Sequence, residues 1–289
     1  MEMTKKVDIP NKSLQIPKAI TRTAKFLQAI SPKLATLFAA KLFTTPLKHK
    51  IPKRELQMEE NSTQTKLFVP KINKEIVVYQ YGESDKKVLL VHGWSGRGTQ
   101  LFKIADELLQ KGFSTISFDA PAHGKSGSKT TLMPEFIASI LEIEKHFGPL
   151  EFSIGHSLGG MSILNAIKQG LKIKKAVIIG SGDLIQGILD DFVLKLELNP
   201  KTASMMKTHF EKKFGVEMES YSASFAAQSV AIPVLVIHDK NDEEIPVQAA
   251  HSIKNNLKDC EIYITEKLGH RKILGDKKVI ETMLNFILK

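Results

Sequence analysis

From residue 65 to the C-terminus, short runs rich in β-branched and aromatic residues alternate with helix-length amphipathic stretches. That order commits the chain to a mostly parallel sheet with helices packed on its faces. Strands are predicted at TKLFVP, EIVVYQY, KVLLVH, STISFD, EFSIG, KAVIIG, PVLVIH and EIYIT, which makes an eight-stranded sheet in an α/β fold. The first two lie only a few residues apart, around KIN, and are expected to form a hairpin. Every later pair is expected to have room for a crossover helix. Near-continuous apolar strands such as VLLVH and VLVIH suit sheet positions covered on both faces.

About fifty residues separate KAVIIG from IPVLVIH, where a crossover needs only about a dozen. DLIQGILDDFVLKLEL and KTASMMKTHFEKKFG read as two helices split by Asn199 and Pro200. Loops that leave the carboxyl ends of parallel strands surround the ligand crevice. A small helical cap over residues 183–229 is therefore expected to roof the site, with the core formed by 61–182 and 230–289. Its many Leu, Ile, Phe and Met residues favour an apolar ligand.

The formal net charge of +10 is concentrated at one end. Residues 1–54 hold twelve Lys and Arg against Glu2 and Asp8, and the rest of the chain has 29 bases and 29 acids. The main body is thus neutral and no nucleic-acid partner is expected. Residues 1–60 read as a basic helical leader, too short in its apolar run for a secretory signal or a membrane span. Within it SPKLATLFAAKLF forms a helix with Ser31 as N-cap and Pro32 in the first turn, placing Leu34, Leu37, Phe38 and Leu42 on one face. Two uses are open: packing across the main domain or a partner protein, and peripheral contact of residues 1–54 with an anionic membrane. The only cysteine, Cys260, alternates with Ile262 and Ile264 on a strand and reads as a small buried hydrophobe and not a reactive thiol, and a reducing, cytoplasmic location is expected. No metal or cofactor is expected.

In FSIGHSLGGMSI a strand runs directly into a helix, and Gly155 and Gly159 bracket Ser157. Such a sharp reversal forces its apex residue into a strained backbone with an exposed side chain. The Leu158 amide, at the helix N-terminus, is expected to aim at the same point. A serine hydroxyl needs a base to take its proton and an acid to orient that base. His270, after the last strand, is the base that fits, since His49, His146, His209 and His251 fall in the leader, in helices or in the insertion. His156 is the variable residue of the serine turn and His238 ends a strand. HDKNDEEIP supplies the acid: Asp242 is preferred and Asp239 is held in reserve. Asp183 is a third candidate, with capping of the helix at Leu184 as its alternative role. A second oxyanion donor is expected from the turn at HGW, through the Trp94 amide.

The ordered landmarks HGW (92–94), DAPAHGKSG (119–127), GHSLGG (155–160), HDKNDEEIP (238–246) and LGH (268–270) resemble those of the α/β-hydrolase family, over residues 65 to the C-terminus. The resemblance implies Ser157 as nucleophile, Asp242 as acid, His270 as base, and Trp94 and Leu158 as oxyanion amides. It implies a serine esterase- or lipase-like enzyme acting on a small ester with an apolar acyl or alkyl group. The DAPAHGKSG loop departs from the family pattern at Pro121 and Ala122; it is read as shaping the entrance and is assigned no chemistry. The other readings are a membrane-docked lipase- or thioesterase-like enzyme and a ligand-binding protein without turnover.

Overall fold

The computed structural model describes residues 16–289; the leader residues before them, Glu2 and Asp8 included, lie outside the described residues. Eight strands form one sheet: β1 (Thr63–Val69), β2 (Lys74–Tyr81), β3 (Lys87–Val91), β4 (Ser114–Asp119), β5 (Phe152–His156), β6 (Lys175–Ile179), β7 (Val234–Asp239) and β8 (Cys260–Thr265). Their order across the sheet is β1-β2-β4-β3-β5-β6-β7-β8. From β4 to β8 every neighbouring pair is parallel.

The expected β1–β2 hairpin is present, turned at Asn73 in the left-handed region (φ 49°). The expectation of a crossover helix between every later pair needs one correction. Residues 82–86 are too few for a helix, and β2 lies antiparallel to β4 instead of beside β3. Crossovers begin after β3 with α4 (Phe102–Gln110), then α5 (Met133–Phe147) and α6 (Leu158–Lys168).

Alternation along β3 sends Leu89 and Val91 to one core and Val88 and Leu90 to the other. Both faces are buried, which is why the strand is apolar without a break. α10 (Gln248–Asn256) lies on the first face with α5 and α6, and α12 (Lys277–Leu288) lies on the second with α4. The inserted segment forms α7 (Ile185–Lys195), α8 (Lys201–Phe214) and the short α9 (Ala223–Ala227). Cys260 is half-buried against the first core.

Ahead of the sheet come α1 (Lys18–Ile30), α2 (Pro32–Phe43) and the short α3 (Leu56–Glu60). Pro32 opens α2 as expected, but Ser31 makes no side-chain cap bond. The packed face of α2 also differs from the expected leucine stripe. Ala35, Thr36, Ala39 and Ala40 are buried while Leu34 and Leu37 stay exposed, and Phe38 and Leu42 are half-buried. Small side chains let α2 approach α8 closely, where Thr36 Oγ1 meets Met205 Sδ at 3.7 Å. Helix α1 lies within the leader expected to be helical, ahead of the one helix whose bounds the sequence marks.

Candidate active site

Ser157 sits between β5 and α6 with φ 54° and ψ −119°. An L-residue holds such a conformation at a cost of about 1–3 kcal/mol, repaid by the packing around it. The glycines supply the close approach. A Cβ on Gly155 would lie 2.6 Å from the Gly159 backbone, and one on Gly159 would collide with the Val91 carbonyl. Gly93 completes the fit, since a Cβ there would meet the Ser157 Cβ at 3.0 Å.

Opposite the serine turn, β8 leads through Lys267 (φ 65°) and Gly269 (φ 63°) into His270. The expected loop is here a single helical turn, α11 (Gly269–Lys272). His270 Nδ1 donates to Asp242 Oδ2 at 2.7 Å, both side chains being almost wholly buried. Asp242 Oδ1 accepts from the Glu244 and Ile245 amides at 2.8 and 2.9 Å. Burial opposes a charge on Asp242, but these donors and the His270 ring together hold its carboxyl below the usual range.

The two other acids are occupied elsewhere. Asp239 accepts from Thr265 Oγ1 (2.7 Å), Leu268 N (3.1 Å) and Asn241 N (2.9 Å), tying β7 to β8 and to the segment that carries His270. Asp183 accepts from Ser224 N at 2.7 Å and so joins the start of the insertion to its return. It does not cap α7, whose N-cap is Leu184 without a side-chain bond.

Ser157 and His270 line the same cavity of about 310 Å³, as do Trp94 and Leu158. Among the described residues no hydrogen bond joins Ser157 to His270; the Nε2 edge of the ring lies 3.9 Å from Glu244 Oε2. Neither the Trp94 nor the Leu158 amide has a hydrogen-bond acceptor among the described residues, so both N–H groups remain available for an incoming oxygen.

Four histidines outside the predicted set support this arrangement. His156 Nε2 donates to the His270 carbonyl at 2.9 Å, and burial pushes its pKa down to about 3. His238 Nε2 donates to the Ile245 carbonyl at 3.0 Å, bracing the loop of Asp242, and burial lowers its pKa. His92 Nδ1 donates to the Gly93 carbonyl (2.7 Å) while Nε2 accepts from Ala120 N (3.0 Å). His123 Nδ1 donates to the Pro121 carbonyl (3.0 Å) while Nε2 accepts from Ser95 N (3.0 Å). Burial lowers the last two to about 4 and about 3, so each stays neutral and keeps its acceptor nitrogen.

The DAPAHGKSG loop therefore does more than shape an entrance. Through His123 it fixes the turn that carries the Trp94 amide. Asp119 accepts from Gly98 N, Lys125 N and Tyr79 Oη at 2.7, 2.7 and 2.9 Å, holding both ends of that arrangement. No spacing rule exposes such roles, because the partners are backbone groups brought together only by folding.

Much of the cavity wall is apolar: Phe43, Leu132, Met161, Ile188, Phe192 and Phe210. Phe43 is the last residue of α2, which the sequence reading left outside the site. Its ring lies 6.5 Å from Trp94 and 5.2 Å from Phe192 between centroids. The leader continues along the body, with Leu47 N donating to Ser95 Oγ (3.0 Å) and Lys48 Nζ to the Ser126 carbonyl (2.9 Å). Among the described residues no cluster of His, Cys, Asp and Glu is arranged to hold a metal.

Residues 86–201 match the family model described as alpha/beta hydrolase fold. No curated protein matches the chain. Among solved structures it is similar to an esterase from Exiguobacterium antarcticum (16% identity, 78% of this chain and 100% of that one, TM-score 0.62). It is also similar to an esterase from Pyrococcus furiosus (17%, 84% and 95%, TM-score 0.61). A third is a bromoperoxidase from Bacillus anthracis (16%, 78% and 99%, TM-score 0.60).

Proposed function

Because this chain has the α/β-hydrolase fold, we propose that it is a serine hydrolase cleaving carboxylic esters with apolar acyl or alkyl groups. One observation carries the reading: a backbone-strained serine and a histidine oriented by a buried carboxylate open into one apolar cavity beside two unoccupied amides. Esterases among the structural neighbours favour it, although the fold serves several chemistries.

In this reading Ser157 Oγ attacks the ester carbonyl carbon as His270 Nε2 takes the hydroxyl proton. The carbonyl π electrons move onto oxygen, which the Trp94 and Leu158 amides receive. Asp242 holds the His270 tautomer whose Nε2 is free to accept, and it steadies the imidazolium. Collapse of the tetrahedral adduct breaks the C–O bond to the alcohol, which leaves with the proton from His270. Water then attacks the acyl-serine by the same route, and His270 acts as base and then as acid. The Ser157–His270 hydrogen bond forms as substrate enters, since such contacts are commonly long in unliganded enzymes.

Residues 183–229 act as the cap, and their apolar side chains with Phe43 select the acyl chain. A cytoplasmic location belongs to the same reading, since the one cysteine of the sequence cannot form a disulfide within the chain. The test is labelling with a fluorophosphonate followed by a panel of acyl esters, thioesters and arylamides. An adduct on Ser157 and turnover of apolar esters are expected. A protein that takes no label and turns over none of the panel is instead a ligand-binding relative of these enzymes.

A further inference from the structure

Helices α1 and α2 are joined by the single residue Ser31 and pack against each other. Their inward faces are small: Thr21 and Ala24 on α1, Ala35, Thr36, Ala39 and Ala40 on α2. Their outward faces are not. Phe26 is 66% and Ile30 59% exposed, one turn apart on α1, while Leu34 and Leu37 are 43% and 42% exposed on α2.

Four large apolar side chains left in water on two adjoining short helices call for a covering surface. The charges beside them say which kind. Residues 16–54 contain nine Lys and Arg and no Asp or Glu. Arg22, Lys25, Lys33 and Lys41 are exposed on these two helices, and among the described residues only Lys25 is paired, with Glu197. An apolar protein face would leave those cations without partners, and a second copy of this surface would add repulsion. An anionic lipid interface accepts both features, with rings and branched chains entering the acyl boundary while the cations meet phosphate. Among the described residues no helix is long and apolar enough to cross a membrane, which fits docking in the plane of the interface.

We propose that the α1–α2 pair docks the protein on an anionic phospholipid bilayer. Docking and the cavity share an element, because Phe43 ends α2 inside the wall. Phe214 and Val216, both exposed, line the cavity, with Lys212 and Lys213 adjoining. A membrane-partitioned ester would thus meet apolar and cationic groups beside the cavity. This last step rests on the hydrolase reading; the docking itself does not.

The test is sedimentation of the full chain with vesicles of phosphatidylcholine alone or mixed with phosphatidylglycerol. Binding is expected on the mixed vesicles at low salt, little on the neutral ones, and release at high salt. Phe26→Ser with Ile30→Ser should lower partitioning at least tenfold, roughly the effect of withdrawing two apolar anchors. Lys33→Gln and Lys41→Gln should lower it about fivefold each. None of these side chains lines the cavity, so hydrolysis of a water-soluble short ester should be unchanged, and this also shows that the variants fold. Ser157→Ala should bind vesicles like the wild type, which separates failure of docking from failure of the hydrolase reading. Full-length protein that stays in the supernatant with mixed vesicles overturns the proposal. So does a dimer that ignores vesicles and is dispersed by the Phe26/Ile30 variant, which would make this face a contact between copies.

Discussion

At Ser157 the chain trades stability for exposure of one hydroxyl. The φ of 54° suits glycine, and among the described residues Ser157 Oγ makes no hydrogen bond that would repay it. Ser157→Gly should therefore raise the unfolding free energy by about 1 kcal/mol while abolishing ester turnover. Equal or lower stability would mean that the serine turn is not strained. The two aspartates near His270 should separate in kind. Asp242→Asn keeps the volume but removes the acceptor that fixes the His270 tautomer, so turnover should fall roughly 10³- to 10⁴-fold in a protein that melts near the wild type. Asp239→Asn should act mainly on stability, by about 1–3 kcal/mol, because its three donors hold structure and not the ring. Reversal of that ranking in paired kinetics and melts would reassign the acid. His123→Phe removes the acceptor for Ser95 N, 3.0 Å away. It should lower kcat about tenfold or more with a smaller change in KM, since the neighbouring Trp94 amide is the proposed oxyanion donor.

The elements that sequence reasoning recovers are those whose signal is local. All eight strands follow from apolar runs bounded by turn residues, and the serine turn follows from glycines whose missing Cβ atoms the packing demands. The missed parts depend on long-range encounter. Lateral placement of β2 against β4 is a property of the assembled sheet, and no residue of EIVVYQY encodes it alone. Helix α2 was legible as a helix, but its buried face was not, because alanines carry little hydrophobic signal and owe their burial to α8. Phe43 stands outside the apolar stripe of Leu34, Leu37, Phe38 and Leu42, and only the meeting of α2, α7 and the Trp94 turn makes it part of the cavity. The consequence can be measured. Phe43→Ala should enlarge the cavity and move the optimum toward longer or bulkier acyl groups, visible as a changed ratio of kcat/KM across a chain-length series. A uniform loss at every length would show that Phe43 supports the fold without touching the acyl chain.

Taken whole, the molecule carries its acid sensitivity in its site. His92, His123 and His156 are buried and neutral, with pKa values near 4, 3 and 3, against about 6.5 for an unfolded histidine. As pH falls through 6.5 the unfolded chain takes up three protons that the folded protein refuses until far lower pH. Stability from these groups is thus complete above that value and drains away below it. The slope approaches about 4 kcal/mol per pH unit where all three differ fully between states. Asp239, Asp242 and Glu219, each held below its ordinary range, contribute with the same sign, but only as pH drops through the carboxylate region. Histidine protonation should therefore unfold the protein before its carboxylates titrate, because a typical domain has only about 5–15 kcal/mol to lose. Melting temperature followed from pH 8 downward should hold roughly level to about 6.5 and then fall steeply. Replacing His123 with phenylalanine should reduce the steepest slope by about one proton's worth, roughly 1.4 kcal/mol per pH unit, even if it lowers stability at neutral pH. A wild-type curve that stays flat to about pH 4.5 would mean that these rings are charged within the fold, and the backbone latches built on their neutral nitrogens would then be wrong.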